Sequence, residues 1–556
     1  MPVAPPFAGL PEGLARLLLV GGTGAGLVPA RDAAMAAGEG QAGLADALAL
    51  AVWEDAPLWP EAARVLAARQ AARPFLAPEA ARVAAAVAGA PAAAPEPYFD
   101  RLAARRDIPK MLAYLLDRHR KQPDDAGVLH RLAVFAPMAA TAGDAREAED
   151  VLAGLGGPYA AIGRLVAGEL ALLSGRLPRA EDLLRQSLAA MPTPAARARL
   201  AEVLVRQGGR GAALREYAAV RQARPFDVLA LSRLHDLASG LAGRVAALPG
   251  SLAVLLYSYR NAALLDRTLA ALAATDWGQA PIAGGPRLFV LDNGSPDGTA
   301  SVLAGWKDRL GARLEMVSLP VNVGAPAARN WLAALPGVRE RDFAAYLDDD
   351  AVAPADWIGR LGAAVAAYPD AGVWGCRVVG IDAPHHVQSG DAHLLPTPRQ
   401  DGEYARAFDL ARPWLAGPNW GQFAVCRPCA SVTGCCHLFR TDVLTAVGGF
   451  DIRFSPSQYD DLDHDLRLLA SGRTPVFQGH LAVVHAKVTG AAGNPGGAAY
   501  GSGFANQFKL HNKYDDAAIA SAARTAFAAL AADAAAKVRA VREWGRGEQG
   551  EGGGGR

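Results

Sequence analysis

Near residue 246 the hydrophobic pattern of the chain changes period, and no single architecture accommodates both halves. From about 105 to 245 apolar residues recur at helical spacing, with alanine prominent among them. From 250 onward short apolar runs alternate with amphipathic stretches: SLAVLLYSY, then NAALLDRTLAALAAT, then RLFVLDN. LEMVSL, FAAYLDDD, AGVWGCRVVG and SVTGCCHLF continue the series. Such runs are those of buried, mostly parallel strands joined by crossover helices, which predicts an α/β domain. A chain of 556 residues has room for both, because domains of roughly 100–200 residues imply two to four of them.

The helical half repeats. Gly143, Gly175 and Gly208 are 32 and 33 residues apart, as are Ala148, Ala180 and Ala213, and Leu152, Leu184 and Tyr217. Pro158, Pro192 and Pro225 close each unit at spacings of 34 and 33. A small alanine lets two helices approach, and proline ends the second of them. Each helix pair must then stack on its neighbour to bury its apolar face. The period and its landmarks resemble tetratricopeptide (TPR) repeats, with an alanine-rich bundle as the competing reading. Residues 1–104, rich in Ala and Pro, suggest short amphipathic helices without a repeat. The expected division is 1–104 helical, 105–245 repeats, 250–515 α/β, 516–545 a C-terminal helix and 546–556 a disordered tail.

Composition excludes some classes. The 56 basic and 55 acidic residues balance, so no nucleic-acid partner is expected. Cysteines at 376, 426, 429, 435 and 436 are odd in number and clustered, which argues against a secreted disulfide framework. No stretch has the length of a transmembrane helix, and the first residues lack a basic start and a long apolar run. The expected location is therefore cytoplasmic, with peripheral association at the inner face of a membrane left open. Cys426, Cys429, Cys435, Cys436 and His437 are too cramped for a good zinc site and suit buried packing better. LVGGTGAG at 19–26 lacks the Gly-Lys-Ser/Thr ending of a phosphate loop.

Four pieces carry the chemistry, each at the end of an expected strand or in the loop after it. They are YSYRN (Tyr257–Asn261), LDNGSPDGT with Asp292, NVGAPAARN (Asn322–Asn330) and YLDDD with Asp348, Asp349 and Asp350. Ligands of open α/β sheets bind beyond the carboxyl ends of the strands. Alone, the triple Asp would suit a solvated turn and the tyrosines a strand core. Together the pieces resemble the family 2 glycosyltransferases, which have the GT-A fold. The resemblance runs from about Ser251 to about Lys487. GCCHLFRTDVLTAVGGFD, YDDLDHDLRL and VVHAKVTG resemble that family's later segments. Where the family usually has Glu-Asp, this chain has Asp460-Asp461.

The resemblance implies an α/β GT-A domain, with a Rossmann-like mixed sheet, that binds a nucleotide-diphospho-sugar and transfers its sugar with inversion. Such a reaction must stabilise a departing diphosphate, which a divalent cation does as a Lewis acid. Mn²⁺ or Mg²⁺ suits oxygen ligands, and Mn²⁺ also takes imidazole. By resemblance, Asp350 of a DXD motif and His485 hold the metal, and Asp348 contacts the ribose. Asp292 contacts base or ribose, and Tyr257, Tyr259 and Asn261 line the base pocket. Gly324, Arg329 and Asp349 complete the donor side. Asp461 takes the position of the catalytic base, while Trp420, Asp460, Asp463 and Arg467 are candidates for the acceptor side. Strand alternation would put Asp348 and Asp350 on one face if the strand persisted. The glycine-rich segment 490–503 suits a lid or a passive linker. The acceptor would be a glycan, a lipid-linked glycan or a protein, as in bacterial cell-surface glycan biosynthesis, and the repeats offer a surface for a protein partner. Competing readings are a TPR-type scaffold protein with an inactive transferase-like domain, and a nucleotidyltransferase. The latter lacks its glycine-rich basic loop after Leu256.

Overall fold

In the computed structural model the residues described are 7, 9–90, 96–123, 125–139, 143–279, 286–381, 384–397, 406–486 and 497–551. The chain forms two compact units. One comprises Met1–Ala238, Pro413–Phe423 and Ala534–Arg556, and the other Ser239–Arg412 and Ala424–Asp533.

The first unit is helical. Its repeat region contains the helices Ala160–Leu173, Leu177–Ala190, Pro194–Arg206, Arg210–Ala223 and Val228–Ala238. The starts at Ala160, Pro194 and Val228 fall 34 residues apart. Gly175 and Gly208 join the helices of each pair at φ +72° and +79°, a conformation that glycine adopts without a Cβ clash. Ala148, Ala180 and Ala213 are fully buried, as are Leu152, Leu184 and Tyr217, so the recurring small residue lies at the closest helix contacts. Buried charge ties the N-terminal helices to the repeats. Asp55, at the end of the helix Ala42–Asp55, accepts from Arg199 at 2.8 Å and Arg224 at 3.1 Å, and Glu54 accepts from Arg224 at 2.6 Å.

The second unit is built on a mixed sheet. In chain order its strands are β1 Leu252–Ser258, β2 Arg287–Asp292, β3 Leu314–Ser318, β4 Phe343–Leu347, β5 Ala351–Val352, β6 Val373–Gly380, β7 Val387–Ser389, β8 His393–Pro396, β9 Phe408–Ala411, β10 Cys426–Pro428, β11 Cys436–Arg440 and β12 Val476–His485. The main order is β10-β12-β6-β11-β4-β1-β2-β3, with β5 on β12, β7 on β6, and β8 paired with β9 separately. β3, β2, β1 and β4 are mutually parallel, and β11 runs antiparallel between β4 and β6. The apolar runs are continuous because both faces are covered. Leu252, Val254 and Leu256 of β1 pack in one core with Val290, Ala345, Leu347, Trp357 and Trp374.

This is the expected arrangement of a mixed-sheet α/β domain after an all-helical region. Two local expectations change. β4 ends at Leu347, so Asp348–Asp350 form a turn instead of continuing the strand. The last helix spans Asp516–Glu551, beyond the anticipated end at 545, and 552–556 lie outside the described residues. Of the expected lid, 490–496 also lie outside the described residues, while 497–503 open the helix Gly497–Lys513. Among the described residues no single helix is long and apolar enough to cross a membrane.

Candidate active site

The ends of β1, β2 and β4 present three of the four sequence pieces, and the aspartate turn sits beyond β4. Ala351 N–H closes that turn on the Asp348 carbonyl at 3.1 Å. β5 then pairs antiparallel with β12, with Ala351 opposite His485. That register, rather than strand alternation, brings the two expected metal ligands together. His485 Nε2 lies 2.9 Å from Asp350 Oδ1, and both side chains are 7% exposed. His485 Nδ1 donates to Gln388 Oε1 at 3.0 Å, which aims Nε2 at the Asp350 carboxylate. Asp350 Oδ1 is buried and accepts no hydrogen bond. A buried carboxylate and an imidazole held this close form an ion pair when the ring is protonated, and with the ring neutral they are a donor set that a divalent ion fits.

The neighbouring aspartates behave differently. Asp349 turns back onto β1: it accepts from Ser258 Oγ at 2.5 Å and from Asn261 Nδ2 at 2.9 Å, and its carbonyl accepts from Thr268 Oγ1 at 2.9 Å. Asn261 and Asp349, expected on the donor side, therefore bind each other and fix the turn. Burial pushes the Asp348 carboxyl up to about 7, against the pull of Arg329 and with a further push from Asp350.

Arg329, on the helix Ala325–Ala334, is a buried hub. It donates to Asp460 Oδ2 at 2.5 Å and to the Gly434 carbonyl at 3.2 Å, and it lies 3.6 Å from Asp348 Oδ1. Its guanidinium covers the Tyr257 and Phe450 rings at 5.5 and 5.3 Å. Gly434 lets the guanidinium approach this closely, because a Cβ there would stand 2.7 Å from it and displace it. Gly324, at φ +84°, packs against Ser455 in the same manner: a Cβ would lie 2.8 Å from its hydroxyl. Tyr257 is half-buried under Arg329, Tyr259 is exposed, and Asp292 accepts from Ser295 N–H at 2.9 Å in its own turn.

The acid-bearing helix spans Asp460–Ala470. Asp461 accepts from Gly434 N–H and from Leu462 N–H, each at 2.8 Å. Asp348 N–H donates to the Cys435 carbonyl at 2.8 Å. Two consecutive residues, Gly434 and Cys435, thus connect the aspartate turn, Arg329 and Asp461. The helix is approached through Gln458 and Tyr459, both at positive φ, a conformation that costs energy in non-glycine residues. Asn506 Nδ2 donates to the carbonyls of Phe454 and Ser457 at 2.6 and 2.9 Å and holds that approach.

Three acceptor-side expectations are corrected. Asp463 faces away from Asp461, as a two-residue step on a helix requires, and accepts from Lys513 at 2.5 Å and Tyr514 at 2.8 Å. Arg467 donates to Asp463 and to the carbonyls of Val447, Gly448 and Gly449, and so fixes the GGFD turn. Trp420 belongs to the helical unit, where its ring is buried beneath Arg199 at 4.4 Å and offers no face to a sugar. Asp460 stays at the site as the partner of Arg329. His437, the histidine of the discounted zinc cluster, is buried against Tyr346 and Phe439. Sequence reasoning missed Gln388 and Asn506, whose partners are remote in the chain and leave no local motif.

Residues 253–446 match the family model described as glycosyl transferase family 2. No curated protein matches the chain. Among solved structures the chain is similar to GalNAc-T7 with UDP, GalNAc and Mn²⁺, at 12% identity and TM-score 0.34, covering 43% of this chain and 44% of that one. It is also similar to the mannosyltransferase PcManGT from Pyrobaculum calidifontis in complex with GDP-Man and Mn²⁺, at 18% identity and TM-score 0.33, covering 59% and 87%. A third is S. aureus TarS 1-349 in complex with UDP-GlcNAc, at 13% identity and TM-score 0.32, covering 49% and 70%. The chain thus spans less than half the length of the GalNAc-T7 structure.

Proposed function

Taking residues 253–446 as a glycosyl transferase family 2 domain, we propose that the chain is an inverting, divalent-metal-dependent glycosyltransferase that moves a sugar from a nucleotide-diphospho-sugar to an acceptor hydroxyl. The observation that carries this is the 2.9 Å contact of Asp350 with His485, beside backbone bonds that tie the aspartate turn to Cys435 and Asp461 to the adjacent Gly434. Mn²⁺ or Mg²⁺ held by Asp350 and His485 would supply Lewis-acid stabilisation of the diphosphate oxygens. In this reading Asp348, partly exposed at the same turn, orients the ribose, and Tyr257 and Asp292 bound the nucleoside. Asp461 is fixed by two backbone N–H groups, which orient its oxygens without consuming every lone pair. It takes the acceptor proton as the new glycosidic bond forms and the bond to the diphosphate breaks. Arg329 holds Asp460 beside it and sets the approach of helix and turn.

The acceptor is a glycan, a lipid-linked glycan or a protein, and the stacked helix pairs of the first unit offer a surface for a protein. The reading places the reaction on the cytoplasmic side, where nucleotide sugars are the donor pool. The test is a panel of nucleotide sugars with Mn²⁺ or Mg²⁺, following nucleotide release. Turnover of one donor supports the transferase. Failure of every donor to bind favours a scaffold with an inactive domain.

A further inference from the structure

The aspartate turn shares its space with a thiol that the reaction above does not use. Cys435 immediately precedes β11, and its carbonyl bond to Asp348 N–H sets it directly beside the turn. Cys435 Sγ, an Asp348 carboxylate oxygen and a His485 ring nitrogen all lie within 4.8 Å of one another. Asp350 Oδ1 faces the same imidazole at 2.9 Å, is buried, and accepts no hydrogen bond. Cys435, Asp350 and His485 are each more than nine-tenths buried. Ligands bonded at about 2.0–2.3 Å to one ion stand roughly 3–4.5 Å apart, so Asp348, Cys435 and His485 are close enough to share a single ion. Three of the other cysteines have thiol partners elsewhere: Cys376 and Cys436 share a hydrogen bond, and Cys429 Sγ donates to the carbonyls of Ser431 and Pro475.

On the reading of this turn as a cation site, we propose that Cys435 is a sulfur ligand of the same ion, which makes the centre a mixed oxygen, nitrogen and sulfur site that prefers thiophilic divalent cations. Thiolate favours Zn²⁺ and Co²⁺, whereas carboxylate and water suit Mg²⁺ and Mn²⁺. A hard ion is held through Asp350 and His485 with the sulfur idle. A thiophilic ion engages Sγ, and the thiol proton leaves to solvent as it binds. The centre therefore prefers Zn²⁺ or Co²⁺ over Mn²⁺ by more than the ordinary gap of an oxygen and nitrogen site, and Cys435 supplies the excess.

The test is titration of the full chain with Co²⁺, read by absorption and by calorimetry. The expected result is an intense near-ultraviolet sulfur-to-cobalt band that saturates at one ion per chain, disappears in Cys435→Ser and Cys435→Ala, and persists in Cys429→Ser. Co²⁺ affinity should fall at least about tenfold in Cys435→Ser while Mn²⁺ affinity changes little. Circular dichroism of each variant checks the fold. No band in the wild type, or a band that survives in both Cys435 variants, overturns the proposal. Mn²⁺-dependent nucleotide binding on the same samples keeps the two readings apart. A cobalt band without nucleotide binding supports the sulfur ligand and counts against the transferase, and nucleotide binding without a band does the reverse.

Discussion

The His485 imidazole stands 2.9 Å from the Asp350 carboxylate because Ala351 and His485 are cross-strand partners. Gln388 completes the arrangement by accepting the Nδ1 proton and so directing Nε2 at Asp350. Groups that orient a metal-binding histidine matter nearly as much as the ligand itself. Gln388→Ala should weaken Mn²⁺ binding by about 10–100-fold in calorimetry with the fold unchanged. An unaltered affinity would mean that the ring is oriented by packing alone.

Arg329 contacts Asp460 and the Gly434 carbonyl through separate nitrogens. Removing it leaves a buried carboxylate without its partner. Arg329→Ala should cost about 3–5 kcal/mol in urea unfolding. Arg329→Lys should recover little of this, since a single ammonium cannot reproduce a fork that reaches both acceptors. Full recovery by lysine would show that charge alone matters there.

Asp461 lies on the acceptor side of the proposed reaction, and its two backbone bonds go to different carboxylate oxygens, so an asparagine keeps one of them and the side chain's volume. Asp461→Asn should therefore bind donor and Mn²⁺ normally while transfer falls by about 10²–10⁴-fold. A variant that transfers sugar at near wild-type kcat would remove Asp461 from the role of base.

Much of this was legible in the sequence, and the limits have physical causes. The parallel strands β1 to β4 announced themselves as apolar runs because both faces are buried. The repeat was visible because the alanines at 148, 180 and 213 are fully buried between helices and recur at one spacing. β12 was missed because Gly479 and His480 interrupt it at a register shift. Short strands such as β5 carry too few residues to show a period, yet β5 sets the Asp350–His485 geometry. The acceptor-side errors have one origin. Proximity in sequence was taken for proximity in space, whereas Asp463 and Arg467 lie on helix faces that turn toward Lys513 and the GGFD turn. Trp420 lies between strands of one unit in sequence but packs in the other.

Asp348 carries a stability signature. Burial raises its carboxyl from an ordinary 3.8 to about 7. A carboxyl whose folded pKa is raised destabilises the folded state fully above that value and not at all below the unfolded one. The ion-free protein should therefore lose stability from this group as pH rises from about 4 to 7. Asp348→Asn removes the effect. In chelator its Tm should exceed that of the wild type at pH 8, and the gap should close toward pH 4. A gap that is constant with pH would show that the carboxyl is not the source.

The central claim is that Asp350 and His485 grip the ion through which a nucleotide diphosphate is bound. Calorimetry of nucleotide-diphosphate binding, with Mn²⁺ and with chelator, tests it most directly on wild type, Asp350→Asn and His485→Ala. The account predicts binding by the wild type only when Mn²⁺ is present, and loss of that dependence together with most of the affinity in both variants. Equal binding by all three proteins, with or without Mn²⁺, would contradict it.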